Sequence, residues 1–251
     1  MNKNTAFITG AAGGIGSALA KRLARTGHNL FLTDYNESVH ELATALTNEY
    51  KIQAWSECAD ISDEEALRTL AARAIETMGG CAILVNCAGV SPKGNGGPIP
   101  LESVKIAEWD KVMRINLTAP FILCQEIIPQ MAQAGYGRVV NVASRSGRMH
   151  VPPAGLDYHA SKAGMIGLSR ALAGIYACNG VTVNCVAPGR VDTPMTKTTK
   201  PELLAQAQQL IPARRFASPD EIAASIEFLV SPDASYISGS CMDVNGGVYM
   251  N

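Results

Sequence analysis

The stretch Thr5-Ala6-Phe7-Ile8-Thr9-Gly10-Ala11-Ala12-Gly13-Gly14-Ile15-Gly16 decides the fold. A short apolar run passes straight into a glycine-rich turn, and a segment of helical period near 15–26 follows it. Glycines at 10, 14 and 16 allow a tight turn and a close approach of backbone to a pyrophosphate. The helix that follows offers free N–H groups and the positive end of its dipole to the same anion. Glycine spacing alone is a common pattern, but here it sits between strand and helix, as the binding mechanism demands. Gly10, Gly14, Ile15 and Gly16 are therefore candidate cofactor contacts.

The next strand ends in Leu30-Phe31-Leu32-Thr33-Asp34, which places a carboxylate 18 residues beyond Gly16. An acid there accepts hydrogen bonds from the adenosine ribose hydroxyls, and its charge repels a 2′-phosphate. Gly13 and Tyr35 supply no cation to offset that repulsion. The reading is NAD rather than NADP, with Asp34 and Tyr35 at the adenosine end. The competing reading makes Asp34 a cap for the helix starting near Asn36.

Further along, apolar runs at 52–58, 82–86, 138–143, 182–187 and 241–244 alternate with helical stretches near 36–49, 62–77, 108–133, 157–178 and 219–230. Helix-length connections between strands imply parallel pairing. The expected fold is α/β, a single-domain Rossmann-type doubly wound parallel sheet of about seven strands with helices on both faces. No repeat or polar linker divides residues 1–251. Two loops break the rhythm, the Gly/Pro-rich 91–100 and a segment at about 189–213 with a short helical stretch near 201–210. Insertions at strand ends are where such folds place ligand contacts, so 189–213 is the expected substrate loop; a solvated surface loop is the alternative.

Composition narrows the class. Hydrophobic residues make up 47% and charged residues 17%, and the formal net charge is −1, which gives no global attraction for nucleic acid or acidic lipid. The seven cysteines, at 58, 81, 87, 124, 178, 185 and 241, form no CxxC pair, and the four histidines are scattered. The cysteines are expected to be buried, reduced structural thiols, with no metal site. No apolar run is long enough for a signal sequence or a membrane span, so a cytoplasmic protein without membrane or nucleic-acid partners is expected.

Chemistry concentrates in Tyr158-His159-Ala160-Ser161-Lys162, where a phenol and an ammonium sit at i and i+4 on one helical face. A nearby cation favours phenolate, and a phenol so tuned exchanges a proton with a substrate oxygen. Ser144, at a strand end 14 residues earlier, can bring its hydroxyl to the same oxygen. With the glycine turn and Asp34, these residues resemble the short-chain dehydrogenase/reductase family over essentially the whole chain.

The resemblance implies roles for particular residues. Tyr158 is the general acid/base, Lys162 lowers its pKa and contacts the nicotinamide ribose, and Ser144 orients the substrate oxygen. Asn116 supports the lysine through a proton-relay water, and Asp60 with Ile61 flanks the adenine. Asn86-Cys87-Ala88-Gly89 matches the family's Asn-Asn-Ala-Gly stretch beside the cofactor, so Asn86, Ala88 and Gly89 are expected contacts; Cys87 departs from the usual second Asn. Pro188, Val191 and Thr193 belong to the segment that holds the nicotinamide carboxamide. Metal has no part in this chemistry.

The substrate is expected to be a small polar secondary alcohol or ketone: a polyol, sugar or hydroxy acid. Arg145, Arg148 and His150 follow Ser144, with Lys93 and Arg190 in neighbouring strand-end segments. Either Arg145 and Arg148 bind an anionic substrate group beside Ser144 and Tyr158, or these cations face water and acids such as Asp157 and Asp192. Small residues at 160, 164, 167, 171 and 174 form a seam on the catalytic helix. In the resembling family the helices near 108–133 and 157–178 form a dimer bundle, so a homotetramer, or a homodimer, is expected. The apolar stretch 241–251 suits a second interface. Two other functions remain open: a 3-oxoacyl-thioester reductase using NADPH, and a non-catalytic nucleotide-sensing regulator on the same fold.

Overall fold

The computed structural model describes residues 2–250 except Asn95, Gly96, Pro153 and Thr198, and describes only the backbone of Lys197. Its strands are β1 (Thr5–Thr9), β2 (Asn29–Asp34), β3 (Ala54–Cys58), β4 (Ile83–Asn86), β5 (Gly137–Val142), β6 (Val181–Pro188) and β7 (Cys241–Val244). All pair in parallel, in the order β3-β2-β1-β4-β5-β6-β7. The order reverses between β1 and β4, and a crevice at the carboxyl ends of such a switch point is where open α/β sheets bind ligands.

Helices α1 (Gly14–Arg25), α2 (Ser38–Tyr50) and α3 (Glu64–Met78) follow the first three strands. After β4 come α4 (Ile106–Met113) and α5 (Ala119–Gln133), and α6 (Leu156–Tyr176) joins β5 to β6. Beyond β6 lie α7 (Pro194–Lys197), α8 (Pro201–Leu210) and α9 (Pro219–Val230). The segment 189–213 thus carries the helical stretch expected near 201–210. Among the described residues, no helix is long and apolar enough to cross a membrane.

The period-2 geometry of the strands sorts the core into layers. Ala6 and Ile8 of β1 pack with Leu19 and Leu23 of α1, Leu46 of α2 and Ile226 of α9. Phe7, between them in sequence, points to the other face, among Leu70 of α3 and Leu123 and Ile127 of α5. Its ring meets Phe31 edge to face at 5.4 Å. Each such fully buried side chain stabilises the fold by about 1.5–3 kcal/mol, and β1 is buried throughout.

Two expected boundaries move. The third strand begins at Ala54 rather than 52, because the chain after α2 turns through Lys51 in the left-handed region (φ 58°). The helix expected at 108–133 is broken: a π-helical turn, Arg114–Thr118, separates α4 from α5. Pro120 accounts for part of this, since it has no amide hydrogen to donate to the Asn116 carbonyl four residues back. π-turns of this kind cluster at functional sites.

Candidate active site

The glycine turn is built by close approach. Gly10 has φ +67°, and a Cβ there would lie 2.7 Å from the Ala88 backbone. A Cβ on Gly16 would lie 2.1 Å from the Gly10 carbonyl oxygen, so a side chain cannot replace it without moving the turn. Thr9 Oγ1 accepts the N–H groups of Cys87 (3.1 Å) and Ala88 (3.2 Å), locking the end of β4 against the turn. Helix α3 closes its N-terminus with the Asp63 side chain, and α9 with the Ser218–Glu221 capping box. At α1 no side chain caps Gly13, and the first turn has no acid. A bare N-terminus over a collapsed glycine turn fits a pyrophosphate, with Gly14, Ile15 and Gly16 at its rim.

Asp34, buried at the end of β2, fastens this turn. Its Oδ2 accepts the Ala12 N–H and its Oδ1 the Asn36 N–H, each at 3.0 Å. It does not cap α2, whose first helical residue is Ser38. Tyr35 beside it is 81% exposed. Asp60 is exposed, and its carboxyl is held below the usual range by the Ser62 backbone N–H and hydroxyl, with the Lys111 charge adding to the effect. Ile61 packs toward the α3 and α5 layer.

The Asn86 side chain lies elsewhere than expected. It is buried under the sheet, where Nδ2 donates to Asn141 Oδ1 at 2.7 Å. The side chain at the cleft is that of Cys87, whose thiol burial pushes up to about 12. Gly89 stands where a Cβ would come within 3.3 Å of both Asn116 Oδ1 and Lys162 Nζ.

The cleft itself opens at the ends of β4, β5 and β6. Ser144, Tyr158, Lys162, Pro188, Val191 and Thr193 all line it. Ser144 follows β5 and starts a 3₁₀ turn, accepting the Ser146 N–H at 3.1 Å. Its hydroxyl shares the cleft with Tyr158. Burial pushes the phenol up, while the Ser144 hydroxyl and the Arg190 charge hold it down. Arg190 is a cation acting on the phenol in addition to the expected Lys162. The Lys162 ammonium donates to the Val142 carbonyl at 2.8 Å and lies 5.7 Å from the Tyr158 ring centre. Burial brings Lys162 down to about 8. Thr193 overlies the glycine turn, its Cγ2 2.8 Å from where a Gly14 Cβ would stand.

Asn116 sits in the π-turn, fully buried. Its Oδ1 accepts the Val90 N–H, and its Nδ2 donates to the Val90 carbonyl and to Ser161 Oγ. Arg148 is placed away from the cleft. Nη1 donates to the Cys241 carbonyl at 3.1 Å, Asp243 is 3.5 Å away, and the guanidinium lies 5.0 Å from the Tyr249 ring centre. Asp243 offers this arginine a counter-ion that the cleft lacks. Arg145 remains at the cleft, buried, and Arg190 and Lys93 line the cleft with it. Sequence reasoning did not single out Val151, Ala154, Met195 and Thr196, which also line it; the first two are loop residues and the others lie in the one-turn helix α7, too short for a periodic signal.

Comparison with known proteins agrees with this geometry. The sequence model of the family described as Enoyl-(Acyl carrier protein) reductase matches residues 10–249. The 4-formylbenzenesulfonate dehydrogenase of Comamonas testosteroni is 37% identical over 257 residues, 98% of each chain. The 3-oxoacyl-(acyl-carrier-protein) reductase of Vibrio cholerae is 37% identical over 98% of this chain and 97% of that one. The crystal structure of a 3-oxoacyl-(acyl-carrier-protein) reductase from Brucella melitensis superposes with a TM-score of 0.92, at 34% identity, over 99% of this chain and 92% of that chain.

The chain belongs to the short-chain dehydrogenase/reductase family.

Members of the short-chain dehydrogenase/reductase family are oxidoreductases that bind nicotinamide cofactors and act on CH–OH or carbonyl groups. The residues here fit such a group. The collapsed glycine turn and bare α1 N-terminus suit its pyrophosphate, Asp34 the adenosine ribose, and the cleft beside Tyr158 its reacting ring.

Proposed function

We propose that this protein is an NAD-dependent dehydrogenase/reductase of a small polar secondary alcohol or ketone, with Tyr158 as its general acid/base. The observation that carries the reading is the convergence of Ser144, Tyr158 and Lys162 on one cleft, which Ile15 of the glycine turn also lines. In oxidation the substrate hydroxyl lies between the two oxygens, and the Tyr158 phenolate takes its proton. Ser144 holds the oxygen in place, and Arg190 favours the phenolate. When bound, the nicotinamide supplies the hydride acceptor or donor. Lys162, fixed to the β5 backbone, is assigned to the ribose hydroxyls, and Asn116 fixes the helix that carries it.

Asp34 supports NAD over NADP. Two backbone N–H groups hold its carboxylate in place, one on each oxygen, and each oxygen keeps a lone pair for a ribose hydroxyl. The test is absorbance at the reduced-nicotinamide band with a panel of polyols, sugars, hydroxy acids and 3-oxoacyl thioesters, each with NAD(H) and NADP(H). Turnover of small alcohols with NAD supports the proposal. Turnover confined to thioesters with NADPH sinks it in favour of the reductase reading, which the name of the Vibrio cholerae relative favours.

A homotetramer is proposed on the surface of α6. Among the seam residues, Gly164 packs on Leu117, whereas Gly167 and Gly174 have open space where a Cβ would stand. The seam faces outward there, and Phe121 on α5 is 44% exposed. Light scattering of the purified protein checks the assembly.

A further inference from the structure

The cleft has a charge imbalance that proton transfer does not use. Lys93, Arg145, Lys162 and Arg190 line it, and no Asp or Glu does among the described residues. Three of these cations come from three different strand ends: Lys93 after β4, Arg145 after β5, Arg190 after β6. Arg145 is 8% exposed, and its guanidinium has no protein partner among the described residues. Arg190 Nε is buried without a hydrogen-bond acceptor, and Nη1 only reaches Thr199 Oγ1 at 3.4 Å. Lys93 Nζ donates to the same Thr199 hydroxyl at 2.8 Å.

Burying a guanidinium without an anion is strongly unfavourable, and like charges side by side make it worse. Arg190 and Arg145 do lie side by side, each held below its ordinary range, Arg145 by burial and then by Arg190. Arg190 also lines a neighbouring pocket with Glu221 and Asp243; Glu221 pairs with Arg215 at 2.6 Å, and Asp243 Oδ2 lies 3.5 Å from Arg148 while its Oδ1 is buried without a hydrogen-bond partner. An oxidised nicotinamide brings a further positive charge, so the missing anion has to come from the substrate.

We infer that Arg145 and Arg190, with Lys93, bind a carboxylate, and that the substrate is a short hydroxy or oxo acid. The inference rests on the oxidoreductase reading only for what becomes of the substrate, since the anion site stands on the cation geometry. Arg190 acts on the Tyr158 phenol, and Arg145 follows Ser144 directly, so the carboxylate lies within a few bonds of the reacting carbon. The open cleft has a volume of about 160 Å³, which the acid shares with the nicotinamide ring. That is small beside the roughly 300–1,000 Å³ of drug-sized pockets, and it suits an acid of few carbons. Arginine's planar fork matches a carboxylate with two parallel hydrogen bonds.

The test uses malonate, which has no carbinol, and malonamide, its uncharged analogue, titrated calorimetrically into the full chain with and without NAD. Malonate should bind at least about tenfold more tightly than malonamide. Arg145→Met and Arg190→Met should each remove at least about tenfold of that affinity, while Arg25→Met, at an exposed position on α1, should change nothing. Arg145→Lys and Arg190→Lys keep the charge and lose the fork. They serve where a methionine variant fails to fold, and should weaken malonate but not malonamide. Equal binding of the two probes, or malonate affinity unchanged in the variants at both arginines, overturns the inference. In parallel, 3-hydroxybutyrate and its amide are assayed with NAD. Arginine-dependent malonate binding without turnover of any alcohol keeps the anion site and removes the oxidoreductase reading. Turnover of neutral alcohols alone, with no malonate binding, does the reverse.

Discussion

Asn116 holds Val90 by both backbone groups, accepting its N–H at 2.8 Å and donating to its carbonyl at 2.9 Å. A side-chain amide thereby replaces one rung of a β ladder. The same Nδ2 donates to Ser161 Oγ at 3.1 Å, one residue before Lys162. One residue therefore ties the π-turn, the loop after β4 and the catalytic helix together. Asn116→Leu keeps the volume but leaves both Val90 groups unpaired. It should lower unfolding stability by about 2–4 kcal/mol, from two buried groups at roughly 1–3 each less relaxation. Urea denaturation measures this, and an unchanged midpoint at unchanged slope would refute it. Activity should fall mainly in kcat, because Lys162 loses its seat.

Lys162 gives a stability signature at high pH. Its folded pKa, about 8, lies below its ordinary 10.5 because of burial. Between those values the unfolded chain binds the proton and the folded chain does not, so the folded state gains stability as pH rises. Below about 8 both states are protonated, and the burial penalty stands in full. Lys162→Met should therefore be more stable than the unaltered protein at pH 7, with the gap narrowing toward pH 10. Thermal melts of both proteins across that range measure the gap; one that stays constant with pH contradicts the burial argument.

Asp34 couples cofactor choice to the glycine turn. Asp34→Ala removes the acceptor for the Ala12 N–H as well as the charge. NAD affinity should then fall without a matching gain for NADP. Asp34→Asn with Tyr35→Arg keeps an acceptor and adds a cation, and should narrow or reverse the preference. The unaltered protein should favour NAD over NADP by at least about tenfold in kcat/KM, or about 1.4 kcal/mol. Equal use of the two cofactors by the unaltered protein sinks the assignment.

What the sequence conveyed follows from which signals are local. The parallel pairing could be read because each strand is a short apolar run and most crossovers are periodic helices. The Gly10–Gly16 turn could be read because its steric demand falls on one short segment. The break at Arg114–Thr118 was hidden, since Ile115-Asn116-Leu117 continues an apolar helical pattern. Only Pro120 marked it. The fates of Arg145 and Arg148 were also hidden, because they depend on Asp243, nearly a hundred residues away in sequence. The same holds for Asn86, whose partner Asn141 lies on the neighbouring strand.

The reacting centre is tested most directly at Tyr158. Burial raises its phenol, and Ser144 and Arg190 oppose that. Oxidation needs the phenolate, so the oxidation rate should climb with pH until the tyrosine is ionised; reduction needs the phenol and should decline over the same interval. Arg190→Met and Ser144→Ala each remove a group that favours phenolate, so each should move the oxidation profile to higher pH. Tyr158→Phe keeps the ring and its packing but removes the group that exchanges the proton. It should fold and bind NADH, since the glycine turn and Asp34 are untouched, and its kcat should fall roughly 10²–10⁴-fold. The loss should persist at every pH, because no ionisation can restore a hydroxyl that is absent. NADH fluorescence titration checks binding, and steady-state rates from pH 6 to 10 check the rest. A Tyr158→Phe protein with a near-normal rate, or with the profile of the unaltered enzyme, would mean that another group carries the proton. The nearest such group is the Ser144 hydroxyl, and Ser144→Ala in the same background would then identify it.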